Sequence, residues 1–131
     1  MEKVRQRMRH GVGVLVFPEG TTNASDELLP FKTGGFAAVA DMPDGFVLPV
    51  FMWAKKINGV LTNIADRKII AWPEKNSIWK NAWELMGLES VTMEIKVGSL
   101  ISTSGRDRKQ LARLAQDQVE GLKRLTILHS K

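Results

Sequence analysis

Val14–Phe36 reads VLVFPEGTTNASDELLPFKTGGF, and the way this stretch is placed decides the fold. The run that leads into it, residues 12–17 (VGVLVF), is apolar at both odd and even positions. A strand with two apolar faces must be covered on both sides, as in a parallel sheet with helices above and below. Pro18 cannot donate to a ladder and ends the strand. Glu19 then falls at the carboxyl edge of the sheet, where α/β folds hold their ligands. Gly20 lets backbone N–H groups come close to a ligand. Thr21 and Thr22 add hydroxyl donors, and Lys32 opens the next helix with an ammonium in reach of an anion. Two readings fit this spacing. One is a corner that binds a phosphate or carboxyl ester through Glu19, Gly20, Thr21 and Lys32; the other is a strand-to-helix connection whose Thr and Glu side chains only cap a helix.

Outward from that corner, helical and strand-like segments alternate, which implies an α/β chain with a mostly parallel or mixed sheet flanked by helices. Residues 2–10 predict a short basic helix with Val4 and Met8 on one face, stopped at Gly11. Residues 32–40 predict a short helix, and residues 42–45 (MPDG) a turn. Residues 46–52 and 67–72 predict strands, the first with a bulge or an edge at Pro49. Residues 77–87 predict a helix in which Ile78, Trp79, Trp83 and Met86 are apolar. In residues 91–97, Val91, Met93, Ile95 and Val97 alternate with Thr92, Glu94 and Lys96, which predicts a half-buried strand with the first set inward. Residues 106–127 predict a long terminal helix with a stripe of Leu111, Leu114, Ala115, Leu122 and Leu125, and with Ser104 and Asp107 as its capping box.

The chain of 131 residues suits a single domain over 1–131. It has no cysteine, which excludes a disulfide framework and a thiol nucleophile, and its only histidines are His10 and His129, too few for a zinc site. No metal is therefore expected. The net charge of +5 favours anionic partners. The basic residues Lys3, Arg5, Arg7 and Arg9 lack the interleaved aromatics of a nucleic-acid surface and read as a solvated face, so no nucleic acid is expected. Arg106, Arg108 and Lys109 oppose the dipole of the terminal helix and await an anion or a carboxylate. No secretory signal or spanning segment is visible. The chain is expected in the cytoplasm, at most peripheral on the inner face of a membrane. Trp79, Trp83 and Met86 belong either to a core or interface, the favoured placement, or to a membrane-facing surface with Lys75 and Lys80 beside it.

The segment from Val16 to Phe36 resembles the third conserved block of the glycerophospholipid acyltransferases. Phe17, Pro18, Glu19, Gly20 and Thr21 match its first part, Phe31, Lys32 and Gly34 its second, and Ala37, Ala38 and Ala40 the helix after it. Val47–Val50 (VLPV) is similar to the fourth block, and the likeness spans residues 5–125, all from the second half of such a domain. The resemblance implies a partial acyltransferase-like layered fold and transfer of an acyl group from an acyl-CoA or acyl carrier protein thioester to the hydroxyl of a lysophospholipid or glycerol phosphate. It implies no metal or redox cofactor. Glu19, Gly20, Thr21 and Lys32 would lie on the acceptor side, with Glu19 shaping the site.

The departures from that pattern are as informative. The family's catalytic His-x-x-x-x-Asp block is not found: five residues after His10 stands Leu15. No catalytic residue is therefore assigned. Loss of a general base costs about two to four orders of magnitude in rate, so this polypeptide alone is expected to be inactive. It is read either as a chain needing an amino-terminal half or as a non-catalytic anion- or lipid-binding module that covers its exposed surface by forming a homodimer.

Overall fold

The computed structural model describes residues 2–21, 27–63, 66, 70 and 78–128. The elements are α1 (Glu2–Arg9), a 3-10 helix (Gly35–Ala38), β1 (Phe46–Val47), β2 (Val50–Ile57), β3 (Val60–Leu61), α2 (Ile78–Met86), β4 (Val91–Val97), β5 (Ile101–Ser102) and α3 (Arg108–Leu128). The class is mixed α/β with a long C-terminal helix. Two compact units divide the chain: residues 1–20, 30–51 and 97–131 form one, and residues 21–29 and 52–96 the other.

The first unit is built on α3. Leu111, Ala112 and Ala115 pack with Phe36 of the 3-10 helix, with Val39 just after it and with Ile101 of β5, while Met8, Phe31 and Val47 close the edges. Leu111 is fully buried; burying a leucine contributes about 1.5–3 kcal/mol. β1 and β5 pair antiparallel, with Phe46 opposite Ser102 and Val47 opposite Ile101. Thr103, also fully buried, donates from Oγ1 to the carbonyl of Met42 (2.7 Å) and from its N–H to that of Gly45 (3.0 Å). The expected turn at residues 42–45 is thereby fixed to the strand beside it. Arg5 is not a solvated cation: its guanidinium donates to the carbonyls of Ala38 (3.2 Å) and Ala40 (2.7 Å), which ties α1 to the end of the 3-10 segment. That segment is a single 3-10 turn where residues 32–40 predict a helix.

The second unit contains most of the sheet β3-β2-β4. β2 and β3 form an antiparallel hairpin, Lys56 opposite Leu61 and Ile57 opposite Val60. Its turn residues, Asn58 (φ 49°) and Gly59 (φ 79°), both have positive φ, as a two-residue I′ hairpin requires. β4 also runs antiparallel to β2, since Pro49 accepts from Gly98 N–H (2.9 Å) at one end and Asn58 N–H donates to Ser90 (2.9 Å) at the other. Where the sequence predicts a mostly parallel or mixed sheet, the strand pairs among the described residues are antiparallel. Pro49 lies between β1 and β2, where its missing donor interrupts no ladder.

Three expectations reverse. Residues 12–17 form no strand, and Val12, Val14, Leu15, Val16 and Phe17 are all exposed; a two-faced apolar strand needs neighbours, and among the described residues none pairs with it. In β4 the expected sidedness holds only at the start, where Val91 is half-buried and Thr92 exposed; beyond it Met93, Ile95 and Val97 are exposed while Glu94 and Lys96 are half-buried. Glu94 is held by Lys55 (2.8 Å) and lies near Lys96 (3.9 Å). The hydrogen bond from Lys55 is the main reason its carboxyl titrates below the usual range, with a smaller contribution from Trp53. The cap of α3 is not the Ser104–Asp107 pair. Asp107 Oδ1 accepts from the N–H groups of Lys109 (2.7 Å) and Gln110 (2.9 Å), and Gln110 Oε1 accepts from Asp107 N–H (3.0 Å). This is a reciprocal box one step further along. In the apolar stripe of α3, Val119 is buried and Leu125 is exposed. The strand expected over 67–72 lies almost wholly outside the described residues.

Candidate functional site

Local geometry builds the corner at residues 17–20. Gly20 N–H donates to the carbonyl of Phe17 (3.1 Å), closing a tight turn that Gly20 completes with φ +71°. The turn is joined to the second half of the motif by one backbone bond, from Lys32 N–H to the carbonyl of Pro18 (2.8 Å). The Lys32 side chain then folds over the glycine: a Cβ at Gly20 would lie 2.7 Å from Nζ and 3.0 Å from Cδ. Glu19 is half-buried beside this turn, while Lys32 is exposed. The structure thus brings Glu19, Gly20 and Lys32 together across the eleven intervening residues 21–31.

The corner is anchored to the core from behind. Phe31, the residue before Lys32, packs against the cluster around Leu111, and its N–H donates to Gln116 Oε1 (3.0 Å). Gln116 is held in turn by its own amide, which donates to Glu120 (3.2 Å) one helical turn on. Sequence reasoning did not single out Gln116. The signal was a half-buried amide next to Ala115 on the flank of the buried stripe of α3. Val16 leads into the corner with Cγ1 only 2.6 Å from where a Cβ of Gly35 would be, so Gly35 is the surface on which this segment rests.

Charge is distributed unevenly. Residues 21–29 and 52–96 hold seven basic and seven acidic side chains, so the whole net charge of +5 belongs to the unit that carries Lys32. Its field favours an anion at the corner. Thr21 is exposed and falls in the other unit, and Thr22 lies outside the described residues. His10 is exposed just beyond α1, its N–H on the carbonyl of Arg7 (3.0 Å); His129 lies outside the described residues. Arg106 meets a carbonyl, that of Ser102 (2.5 Å), where the sequence left an anion or a carboxylate open. A shallow open groove of about 570 Å³ lies between β5 and α3, lined by Leu100, Ser102, Arg106, Leu114 and Gln118 among others; it does not include the corner. Trp79, Trp83 and Met86 stand exposed along α2, outside any core among the described residues. No described helix is long and apolar enough to cross a membrane.

Comparison with known proteins bears on the same segment. The family model "Acyltransferase" matches residues 1–53, which include the whole corner. A lyso-ornithine lipid O-acyltransferase of Brucella abortus (strain 2308) is 26% identical over 133 residues, 96% of this chain and 50% of the relative. A second protein of that name, from Rhizobium meliloti (strain 1021), is 26% identical over 123 residues, 88% of this chain and 42% of the relative. The chain therefore spans about half the length of the curated relatives it matches. No solved structure matches it significantly.

Proposed function

We propose that this chain, a partial-domain member of the acyltransferase family, supplies the acceptor-binding corner for acyl transfer to a lysolipid hydroxyl. The acceptor is a lysophospholipid, glycerol phosphate or related anionic lysolipid, and the donor an acyl-CoA or acyl carrier protein thioester. The relatives' names support a lysolipid acceptor. The observation that carries the reading is the Pro18–Lys32 backbone bond, which sets one ammonium over the Gly20 turn. In that position Lys32 holds the acceptor's anionic group, Gly20 gives it backbone access and Glu19 shapes the lip.

The proton transfer is not assigned to any residue here. His10 has no acidic partner five residues on, so the base that takes the acceptor's proton comes from outside this sequence. The chain by itself binds without turnover. A second reading, a non-catalytic anion- or lipid-binding module, shares the same corner and is favoured by the exposed apolar run at residues 12–17.

Calorimetric titration with sn-glycerol 3-phosphate tests the corner. Lys32→Ala weakens binding by about tenfold or more, the scale of one lost hydrogen bond to a charged group. Unchanged affinity removes Lys32 from the site.

A further inference from the structure

β4 leaves one edge of its sheet open. In the order β3-β2-β4 it is terminal, and among the described residues no strand pairs with its outer side. The bonds to β2 decide which residues serve that side. Just beyond the two ends of β4, Ser90 accepts from Asn58 N–H and Gly98 N–H donates to Pro49, both at 2.9 Å. In an antiparallel ladder, alternate residues turn their N–H and C=O groups to the same edge. The even-numbered positions therefore face β2, and Val91, Met93, Ile95 and Val97 present their backbone groups to the open edge. The side chains of these four share one face of the sheet, where Ile95 is 59% exposed and Met93 and Val97 are exposed with it. Glu94 and Lys96 lie on the other face, 3.9 Å apart. The usual guards against edge pairing are proline, a bulge or charge of one sign. β4 contains no proline, and its two charges are opposite.

We propose that β4 is the interface of a homodimer, in which two copies of this chain pair antiparallel along the open edge with Ile95 on the two-fold axis. The charges select that register. An axis at Ile95 sets Glu94 opposite the partner's Lys96, and Lys96 opposite the partner's Glu94. These are non-hydrogen-bonded positions, where opposed side chains come closest. On the other face Met93 falls opposite the partner's Val97, Ile95 opposite the partner's Ile95, and Val97 opposite the partner's Met93. All three are hydrogen-bonded positions, and all are apolar. An axis at Glu94 sets glutamate against glutamate, and one at Lys96 sets lysine against lysine; like charges directly opposite destabilise a strand pair. An axis between two residues demands bonds from backbone groups that face β2. In the selected register Glu94, bound to Lys55 on its inner side (2.8 Å), gains a second cation on its outer side. The contact uses the same patch on both copies, so association stops at two. A foreign strand has to bring the same charge order in reverse; a second copy brings it automatically. No residue of the Glu19–Lys32 corner takes part, so the proposal stands or falls separately from the acyltransferase reading.

Sedimentation equilibrium of the full 131-residue chain reads the association, and substitutions locate it. The wild-type chain is expected to pass from monomer to dimer, and no further, as its concentration rises. Lys96→Glu keeps the Lys55–Glu94 bond but sets glutamate against glutamate across the axis, and it raises the dimer dissociation constant about tenfold or more. Glu94→Lys does the same with lysines. A mixture of the two variants dimerises again, because each strand then meets its complement. Ile95→Cys gives a register test, since the chain has no cysteine of its own. Opposed residues at a hydrogen-bonded position lie about 5.5 Å apart at Cα, within reach of a disulfide, so mild oxidation links the dimer covalently. Met93→Cys, which faces the partner's Val97, does not cross-link. Glu94→Lys also removes the partner of Lys55; if circular dichroism shows that variant unfolded, Lys96→Glu and the two cysteine variants decide the question. Three results overturn the proposal: a chain that stays monomeric up to its solubility limit; a dimer as tight in Lys96→Glu as in the wild type; or equal cross-linking of Ile95→Cys and Met93→Cys.

Discussion

Gly20 and Gly34 stand in the two halves of one motif, and the structure gives them opposite roles. Gly20 has φ +71°, a left-handed conformation that costs an L-residue about 1–2 kcal/mol. Gly34 has φ −59° and ψ −40°, which any residue adopts, and a Cβ there meets nothing within 4 Å. Gly20→Ala therefore destabilises by about 1–2 kcal/mol, nearly all of it backbone strain. The new methyl also collides with the Lys32 side chain, but the end of a lysine moves aside cheaply. Gly34→Ala stabilises by about 0.4–1 kcal/mol, because it restricts the unfolded chain at no native cost. For a chain of this size 1 kcal/mol is a shift of about 4 °C in Tm, so the variants move apart by about 6–12 °C in thermal unfolding followed by circular dichroism. Displacement of the ammonium makes a second prediction for Gly20→Ala, namely weaker glycerol phosphate binding. Gly20→Asn separates the effects, since asparagine tolerates the left-handed region better than alanine. If Gly20→Ala and Gly34→Ala shift Tm in the same direction, the turn geometry at residues 17–20 is wrong, and the placement of Lys32 falls with it.

Two further perturbations test the scaffold behind the corner. Leu111→Ala removes a fully buried side chain and costs about 2–5 kcal/mol in urea unfolding, whereas Leu125→Ala, 52% exposed in the same helix, stays within about 0.5 kcal/mol. The Asp107 carboxyl titrates below its ordinary value of 3.8 because it accepts from the N–H groups of Gln110 and Lys109. Its folded pKa is depressed, so its contribution to stability is fully present above the unfolded value and is lost as pH falls through the folded one. Urea unfolding between pH 6 and pH 2 should show a smaller loss in Asp107→Asn than in the wild-type chain, because the variant keeps an acceptor at the cap without the charge while the Glu94 contribution remains.

The helices were legible because their periodicity is local. α2 and α3 fall where the apolar spacing puts them, and α1 keeps Val4 and Met8 half-buried as its pattern requires. The candidate site was legible in part. The spacing of Glu19, Gly20 and Lys32 pointed to a shared corner, but the bond between Pro18 and Lys32 and the support from Gln116 depend on contacts that no short-range pattern encodes. Strand placement was harder, for identifiable reasons. Alternation in residues 91–97 defines two faces but not which one meets protein, and Glu94 settles that by pairing with Lys55. The cap of α3 offered two carboxylate- or hydroxyl-led boxes three residues apart, and only the backbone path chooses Asp107 with Gln110. The antiparallel hairpin was encoded by Asn58-Gly59, a turn signal overlooked because the larger motif favoured a parallel sheet. Residues 12–17 fail most plainly: their pattern demands neighbours on both sides, and the described residues contain none.

The central claim is that this chain carries a site that grips an acceptor without the group that activates it. The measurement is release of free thiol from an acyl-CoA in the presence of a lysophospholipid acceptor, with the purified chain alone and with the complementary half of the Brucella abortus relative added. The account predicts release at the buffer rate for the chain alone and faster release with the complement present, suppressed by Lys32→Ala. Turnover by the chain alone would contradict it.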